Sequence, residues 1–280
     1  MTGVVTQRRT FHVRPDVKPL TVVPILQALV DGADVSQLAD VSGLRTSKSQ
    51  HEAKAELRKL GLLDGTTVTD RGLALLKLAQ RRNHLVSEAI HALYIKLSIE
   101  TSDNPHARTG WAYAQVCSSI WLSGSGVLDS RGIIGRVTSA AGERFGLSPD
   151  QVTFGPKSVS GVTNWLGHLE PPIYTNSSSP PTISLRHVCP PEAMWWAVDM
   201  LHYEGGIRIP AGVRLPLTGD RVDTLCSYLL LHGESLGRAL EQAKRRSDYG
   251  NNGIFDTGTA GGQGRWVLLS RQMQPPDTEA

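Results

Sequence analysis

Apolar positions spaced three and four residues apart dominate the pattern of this chain and predict mainly helices. In the first hundred residues this spacing predicts helices at 21–30, 37–41 and 47–60, and one long helix at 72–97. Leu62-Leu63 followed by Asp64-Gly65 is typical of a strand that enters a tight turn. Residues 62–69 are therefore expected to form a hairpin.

The helical spacing continues after a polar linker at 101–108, which we interpret as a domain boundary. Further helices are expected at 111–122, 130–145, 158–169, 191–203, 220–231 and 234–246. Strands are expected at 183–188 and 265–269. The glycine-rich stretch 251–264 is expected to be a flexible loop, and the polar end 272–280 a disordered tail.

Composition narrows the class of protein. The chain has 280 residues, of which 40% are hydrophobic, so it can bury a core and wholesale disorder is excluded. Three cysteines exclude a disulfide scaffold. No apolar run reaches the roughly 20 residues of a membrane span, and the N-terminal residues lack a signal-peptide core. We therefore expect a globular protein of the cytoplasm with no membrane partner.

The positive charge is concentrated at one end of the chain. Residues 1–100 hold 14 Lys or Arg against 10 Asp or Glu, a net charge of +4. The whole chain carries only +3, so the remaining residues are almost neutral. A polyanionic partner is therefore expected to bind the first third of the chain.

The order helix, helix, turn, helix and hairpin over 21–69 resembles a winged helix-turn-helix domain. The residues that match this pattern are Leu38, Ala39, Gly43, Leu44 and the segment 52–63, EAKAELRKLGLL. The resemblance implies that a recognition helix at 47–60 lies in the major groove of DNA and that a hairpin wing follows the backbone. It covers about 60 of the 280 residues.

Under this resemblance, polar residues of the recognition helix and wing would contact double-stranded DNA. These candidates are Arg45, Thr46, Ser47, Lys48, Gln50, His51, Lys54, Arg58 and Thr67. Their chemistry is suitable, since Gln bonds adenine, Lys and Arg reach guanine or phosphate, and hydroxyls contact the backbone. Glu52 and Glu56 lie on the same helix and would repel phosphates, which argues against DNA contact. A winged helix that binds another protein would tolerate these two carboxylates.

The pattern is repeated loosely further along the chain. Residues 158–169 resemble another recognition helix, with candidate DNA contacts at Lys157, Ser158, Ser160 and Asn164. Residues 220–269 resemble a third winged-helix unit. The expected fold class is mainly α with short β-hairpin wings, in tandem winged-helix-like units. The expected division is an arm or edge strand at 1–18, a winged-helix domain at 19–100, a helical domain at 109–182, a helical C-terminal domain at 183–271 and the tail at 272–280.

Short patterns that resemble catalytic or metal sites do not fit their chemistry. Phe255-Asp256-Thr257-Gly258 matches an aspartic-protease signature but lacks the β-rich domain that must follow it. His84, Glu88 and His91 share a helical face, which is more typical of a solvated surface than of a metal site. We therefore expect no catalytic residue, no metal and no cofactor.

Two functions of different classes remain. The first is a non-enzymatic double-stranded DNA-binding protein, such as a transcription regulator or a subunit of a prokaryotic defence or chromosome-associated complex. The second is an adaptor or scaffold whose winged helices bind protein. The sequence suggests a partner or homodimer interface at Trp195, Trp196 and Tyr228, because neighbouring tryptophans on one helix face opposite sides.

Overall fold

The computed structural model describes most of the chain. The described residues are 9–14, 17–33, 38, 44, 46–100, 106–176, 180–204, 207–249, 253–261 and 264–276. The helix expected at 37–41 lies almost entirely outside these ranges, as do Arg45 and the last four residues of the expected tail.

The first unit, residues 9–99, holds three short strands and most of the helices expected there. Its elements are β1 (Arg9–Thr10), α1 (Pro19–Val30), α2 (Ser47–Lys59), β2 (Leu63–Asp64), β3 (Thr67–Val68), α3 (Asp70–Arg82) and α4 (Val86–Ile99). The expected hairpin is confirmed as β2 paired with β3. Gly65 turns it with a φ of 58°, which glycine adopts without strain. The long helix expected at 72–97 is wrong, because a 3-10 turn at Asn83–Leu85 divides it.

The second unit, residues 107–183, combines three helices with a small sheet. Its elements are α5 (Ala107–Ser123), β4 (Gly126–Val127), α6 (Ser130–Phe145), β5 (Val152–Thr153), α7 (Pro156–Leu166), β6 (Tyr174–Thr175) and β7 (Thr182–Ile183). β7 pairs antiparallel with both β4 and β6, so the strand order is β4–β7–β6.

The third unit, residues 191–269, has the longest strands. Its elements are α8 (Pro191–Leu201), β8 (Tyr203–Glu204), β9 (Ile207–Arg208), β10 (Leu215–Pro216), α9 (Gly219–Leu229), α10 (Leu236–Tyr249), β11 (Phe255–Ala260) and β12 (Gly264–Leu269). Its main sheet has the order β10–β12–β11. The second and third units thus share a helix, a strand, two further helices and a hairpin whose last strand pairs back with that strand, β7 with β4 and β12 with β10. The second unit has β5 in addition, and the third has the separate pair β8–β9.

The residues after β1 cross the second unit. β1 pairs in parallel with β5, and the Phe11 ring lies 5.7 Å from that of Trp111 and 5.4 Å from that of Phe145. Val13 then passes over α7 at Gly161, where a Cβ would lie 2.3 Å from the Val13 carbonyl oxygen. Only glycine permits this crossing, so the expected N-terminal arm is packed against the second unit from residue 9 onwards.

Helices α4 and α5 pack closely although they lie on opposite sides of the expected domain boundary. A Cβ at Gly110 of α5 would lie 2.6 Å from the Leu97 Cβ of α4. The Tyr94 and Tyr113 rings stack with centroids 4.5 Å apart, and the Tyr113 hydroxyl bonds His91 Nδ1 at 2.8 Å. The hydrophobic core is therefore continuous between the first and second units.

A buried ion pair joins all three units. Arg186 Nη1 lies 2.5 Å from Glu88 Oε1, and neither side chain is exposed to solvent. The remaining guanidinium nitrogens of Arg186 donate to the Leu229 carbonyl at the end of α9, and Glu88 Oε1 also accepts the Glu170 N–H. Glu88 is thus part of the core, and the solvated helix face expected around it is wrong.

Other expectations fail because packing overrides local pattern. The strand expected at 183–188 ends at Ile183, since Arg186 turns inward to Glu88. The loop expected at 251–264 contains the six-residue strand β11, which pairs fully with β12. Part of the expected tail is ordered, because Met273 is buried and its N–H donates to Asp199 Oδ1. Among the described residues, no helix is long and apolar enough to cross a bilayer.

Removing one member of the ion pair is expected to destabilise the protein strongly. Arg186→Met should lower the free energy of unfolding by about 3–5 kcal/mol in urea titrations, because the Glu88 charge is left buried without its partner. The double variant Glu88→Leu/Arg186→Met should lose clearly less free energy of unfolding than Arg186→Met alone. A double variant that is as unstable as the sum of its two single variants would contradict this coupling.

Stability should also fall as the pH is lowered through the range in which a free histidine titrates. Burial lowers the pKa of His91 to about 3, so the unfolded chain takes up a proton below about pH 6.5 that the folded chain does not. The predicted loss is about 1.4 kcal/mol per pH unit for this group, between roughly pH 6 and pH 4. The slope of the unfolding free energy against pH reports how many protons the chain takes up when it unfolds. In His91→Gln this number should be lower by one. The exposed His51→Gln variant is the control, and an unchanged slope in His91→Gln would refute the prediction.

Candidate nucleic-acid interface

Helix α2 begins with a well-capped and exposed first turn. The Thr46 hydroxyl accepts a hydrogen bond from the Ser49 N–H at 3.1 Å, and the Ser49 hydroxyl accepts one from the Thr46 N–H at 3.3 Å. This reciprocal capping fixes the start of the helix. Ser47, Lys48 and His51 are exposed, as expected for groups that contact DNA.

The rest of the expected DNA-binding face of α2 is not available. Gln50 is buried and its amide donates to the Leu44 carbonyl at 3.1 Å, and Lys54 is only 7% exposed. The Arg58 Nε donates to the Gly65 carbonyl at 2.7 Å, which ties α2 to the hairpin turn. The outward placement expected for Gln50 and Lys54 is therefore wrong, because the helix turns these positions toward the protein.

Helix α7 presents a second exposed first turn. It follows Gly155, and Pro156 occupies its first position, where no N–H is needed. Lys157 and Ser160 are exposed and Asn164 is half-buried. Ser158 is fully buried, and its hydroxyl hydrogen-bonds His12 Nδ1 at 2.5 Å. An outward face is thus wrong for Ser158, which instead fixes the N-terminal segment to α7.

The first turns of α2 and α7 meet at a cleft of about 290 Å³, which we call the N-terminal cleft. Its lining residues are His12, Val13, Arg14, Thr46, Lys48, Ser49, Glu52 and Lys157. The segment 12–14 lies between the two helices, because it crosses α7 at Gly161 and Arg14 reaches Glu52 of α2 at 3.1 Å. Candidate residues that are about 110 positions apart in sequence are thus brought to one site.

Positive charge exceeds negative charge in the N-terminal cleft. Arg14, Lys48 and Lys157 face a single carboxylate, that of Glu52, which is already paired with Arg14. Partial burial lowers the pKa of His12, and the nearby Arg14 and other cations, including Lys157, lower it further. The imidazole is therefore neutral at pH 7. The cations that disfavour its protonation would stabilise a bound phosphate.

Backbone groups add to the attraction for anions. The first N–H groups of a helix have no partner within the helix, and both α2 and α7 direct their first turns at the N-terminal cleft. In α7 this applies to the N–H of Lys157, because the Ser158 N–H already donates to Gly155. Two helix starts and three cations at one cleft are suited to a ligand with more than one phosphate.

The hairpin after α2 contributes little charge. Thr67 is exposed on β3, as expected for a wing residue, and it pairs with Asp64 on β2. The carboxylate of Asp64 is also exposed. This hairpin can contact a DNA backbone through hydroxyl groups but does not clamp it electrostatically.

The expected partner interface is not on the surface. Trp195 is 2% exposed and donates its indole N–H to the Ala243 carbonyl, and Trp196 is fully buried. Burial raises the pKa of the half-buried Tyr228, whose carbonyl accepts from His91. The expectation of one exposed tryptophan is wrong, because α9, α10 and α4 all pack on α8 and cover both of its sides.

The described residues contain no cluster of three or more His, Cys, Asp or Glu side chains placed to hold a metal. Burial raises the pKa of the Cys189 thiol to about 12 and that of Cys226 to about 11, so neither is a ready nucleophile or metal ligand. Asp256, in the short protease-like pattern, forms a 2.5 Å ion pair with Lys244.

Comparisons of the whole chain with protein-family models, with curated proteins and with solved structures give no match.

His12 and Arg14, the basic side chains of the N-terminal segment in the N-terminal cleft, were not among the residues predicted from the sequence. The cluster of arginines before residue 15 was a usable signal, but no local pattern indicates that residues 12–14 cross α7 at Gly161.

The placement of Gln50 predicts a structural role. Gln50→Ala should lower the free energy of unfolding by about 1–3 kcal/mol in urea, because the buried Leu44 carbonyl loses its donor. DNA affinity of the folded variant should stay within about twofold. His51→Ala, at the exposed neighbouring position, is the matched control and should change stability by less than about 0.5 kcal/mol. A stable Gln50→Ala variant with weakened DNA binding would show that Gln50 contacts DNA after all.

Proposed function

We propose that this protein binds double-stranded DNA without catalysing a reaction, through winged-helix units repeated along the chain. The observation that carries the proposal is the N-terminal cleft, where the first turns of α2 and α7 and the cations Arg14, Lys48 and Lys157 come together. Phosphate contacts by Lys, Arg and helix starts supply most of the affinity of DNA-binding proteins.

The repeated topology supports the winged-helix part of the proposal. Apart from β5 and the pair β8–β9, both the second and third units have a helix, a strand, two helices and a hairpin whose last strand pairs back with that strand. In a winged helix the helix before the hairpin is the one that approaches DNA. This helix is α2 in the first unit, α7 in the second and α10 in the third.

Lys48 and Lys157 provide the direct test. We expect the double variant Lys48→Ala/Lys157→Ala to bind a fluorescein-labelled 20-base-pair duplex of arbitrary sequence roughly tenfold or more weakly at 0.1 M salt, measured by fluorescence anisotropy. The slope of log K against log salt concentration should become shallower by about 1.8, because two phosphate contacts are lost.

The control for this test is Lys77→Ala, which removes an exposed lysine on α3 outside the N-terminal cleft. It should leave the affinity and the salt slope unchanged. If the double variant behaves like this control, the N-terminal cleft does not hold DNA phosphates and the proposal is wrong.

An adaptor that binds another protein is the second candidate. It is supported by a wider groove between α1 and residues 167–172, where Leu20 is 70% exposed beside Val23 and Pro24. An exposed apolar groove is typical of a protein contact. Leu20→Glu should abolish association with a protein partner and leave DNA binding intact, so copurification and anisotropy measurements on this variant distinguish the two functions.

A further inference from the structure

His12 borders the N-terminal cleft and is held there by a buried partner. Its imidazole is half-buried, and its Nδ1 atom lies 2.5 Å from the hydroxyl oxygen of Ser158. Ser158 is fully buried in the first turn of α7. One ring nitrogen of His12 therefore has a fixed protein partner, and the ring itself lines the space in which a phosphate would lie.

The Ser158 hydroxyl can serve both protonation states of the imidazole. A hydroxyl donates one hydrogen bond and also accepts, so it can donate to Nδ1 of a neutral ring or accept from Nδ1–H of an imidazolium. Within the described part of the chain, Nε2 of His12 has no hydrogen-bond partner. The Nε2–H group is thus available to a ligand, and the ring can be protonated without loss of its contact to Ser158.

Cations from each neighbouring element act on this imidazole. Partial burial lowers the pKa of His12, and the charges of Arg14 in the same segment, Lys59 on α2 and Lys157 on α7 lower it further. Lys48 on α2 lines the same cleft. In the empty cleft, a proton on His12 would add one more positive charge to a group of like charges, which is unfavourable.

The carboxylates on α2 near these cations are already paired. Glu52 lies 3.1 Å from Arg14, and the buried Glu56 lies 2.8 Å from Lys59. Glu52 is the one carboxylate among the described residues that line the cleft. The negative charge that would favour a protonated His12 must therefore come from a ligand.

We propose that His12 is a phosphate contact of the N-terminal cleft and takes up a proton when DNA binds. This inference rests on the proposed function. A bound phosphate offsets the surrounding cations and accepts a charge-assisted hydrogen bond from Nε2–H of the imidazolium. The proton is taken from the solvent on binding and returns to it when the DNA leaves. Binding is then linked to pH through the protein, because backbone phosphodiesters do not titrate near neutral pH.

The direction of this linkage is that DNA affinity rises as the pH falls. The cations favour the neutral ring in the free protein, and the phosphate offsets them in the complex, so the pKa of His12 is higher in the complex than in the free protein. Between these two pKa values, affinity increases by up to about tenfold for each pH unit. Above both values the ring is neutral in both states, and this contribution vanishes.

The test is DNA affinity measured against pH at constant salt. A duplex with 5′-hydroxyl ends and a rhodamine label is suitable, because neither titrates in the range used. We expect the whole protein to bind roughly three- to tenfold more tightly at about pH 5.5 than at about pH 7.5. His12→Gln, which keeps a polar group beside Ser158 but cannot take up a proton, should lose most of this gain.

The salt dependence shows whether the proton creates a phosphate contact. For the whole protein, the slope of log K against log salt concentration should be steeper by up to about 0.9 at the lower pH, since one contact is added. The slope for His12→Gln should be the same at both pH values. His12→Lys, which is positively charged throughout this range, should have the steep slope at both pH values.

The matched control is His84→Gln, which removes an exposed histidine that lines the groove beside Leu20 and not the N-terminal cleft. It should keep the pH dependence of the whole protein. Titration calorimetry in two buffers of different ionisation enthalpy counts the protons taken up on binding, and it needs no variant. Thermal melts at each pH check that every variant is folded.

The outcomes separate this inference from the proposed function. If the whole protein binds DNA without proton uptake, or if His12→Gln keeps the full pH dependence, the role of His12 is refuted while DNA binding stands. If Lys48→Ala/Lys157→Ala keeps full affinity at every pH, the cleft does not hold phosphates, and both proposals fail. Proton uptake that is present in the whole protein and in His84→Gln but lost in His12→Gln supports the inference.

Discussion

The ion pair between Glu88 and Arg186 is the interaction on which the arrangement of the units depends. It is fully buried, and its remaining hydrogen bonds go to backbone groups at Glu170 and Leu229. Since a buried charge is stable only when all its partners are in place, α4, the segment after β7 and the end of α9 must assemble together. Because of this constraint, the buried residues of the three units form one continuous hydrophobic core and not three separate ones.

The N-terminal cleft is a consequence of that assembly. The packing of α4 on α5 brings the first unit beside the second, and residues 12–14 fill the space between α2 and α7. Their path depends on Gly161, which admits the Val13 carbonyl, and on the contact of His12 with Ser158. Charges scattered along the sequence thereby become one positively charged cleft, which is suited to phosphate groups.

Sequence periodicity was sufficient to predict most helices and the β2–β3 hairpin, because each of these elements follows from local spacing and turn chemistry. It failed where distant contacts decide the outcome. Gln50 and Lys54 look polar and solvent-exposed in sequence, but their burial is set by how α2 sits on the first unit. Strand β11 resembles a glycine-rich loop until β12 pairs with it. For the site, Lys48 and Lys157 were predictable from residue type, whereas their proximity requires the crossing at Gly161.

Hydrogen exchange of backbone amides, measured with and without a saturating DNA duplex, tests the central claim most directly. We expect slower exchange at the first turns of α2 and α7 and at residues 12–14, because DNA covers these surfaces and excludes water. Protection confined to the groove beside Leu20, or no protection at the first turns of α2 and α7, would contradict it.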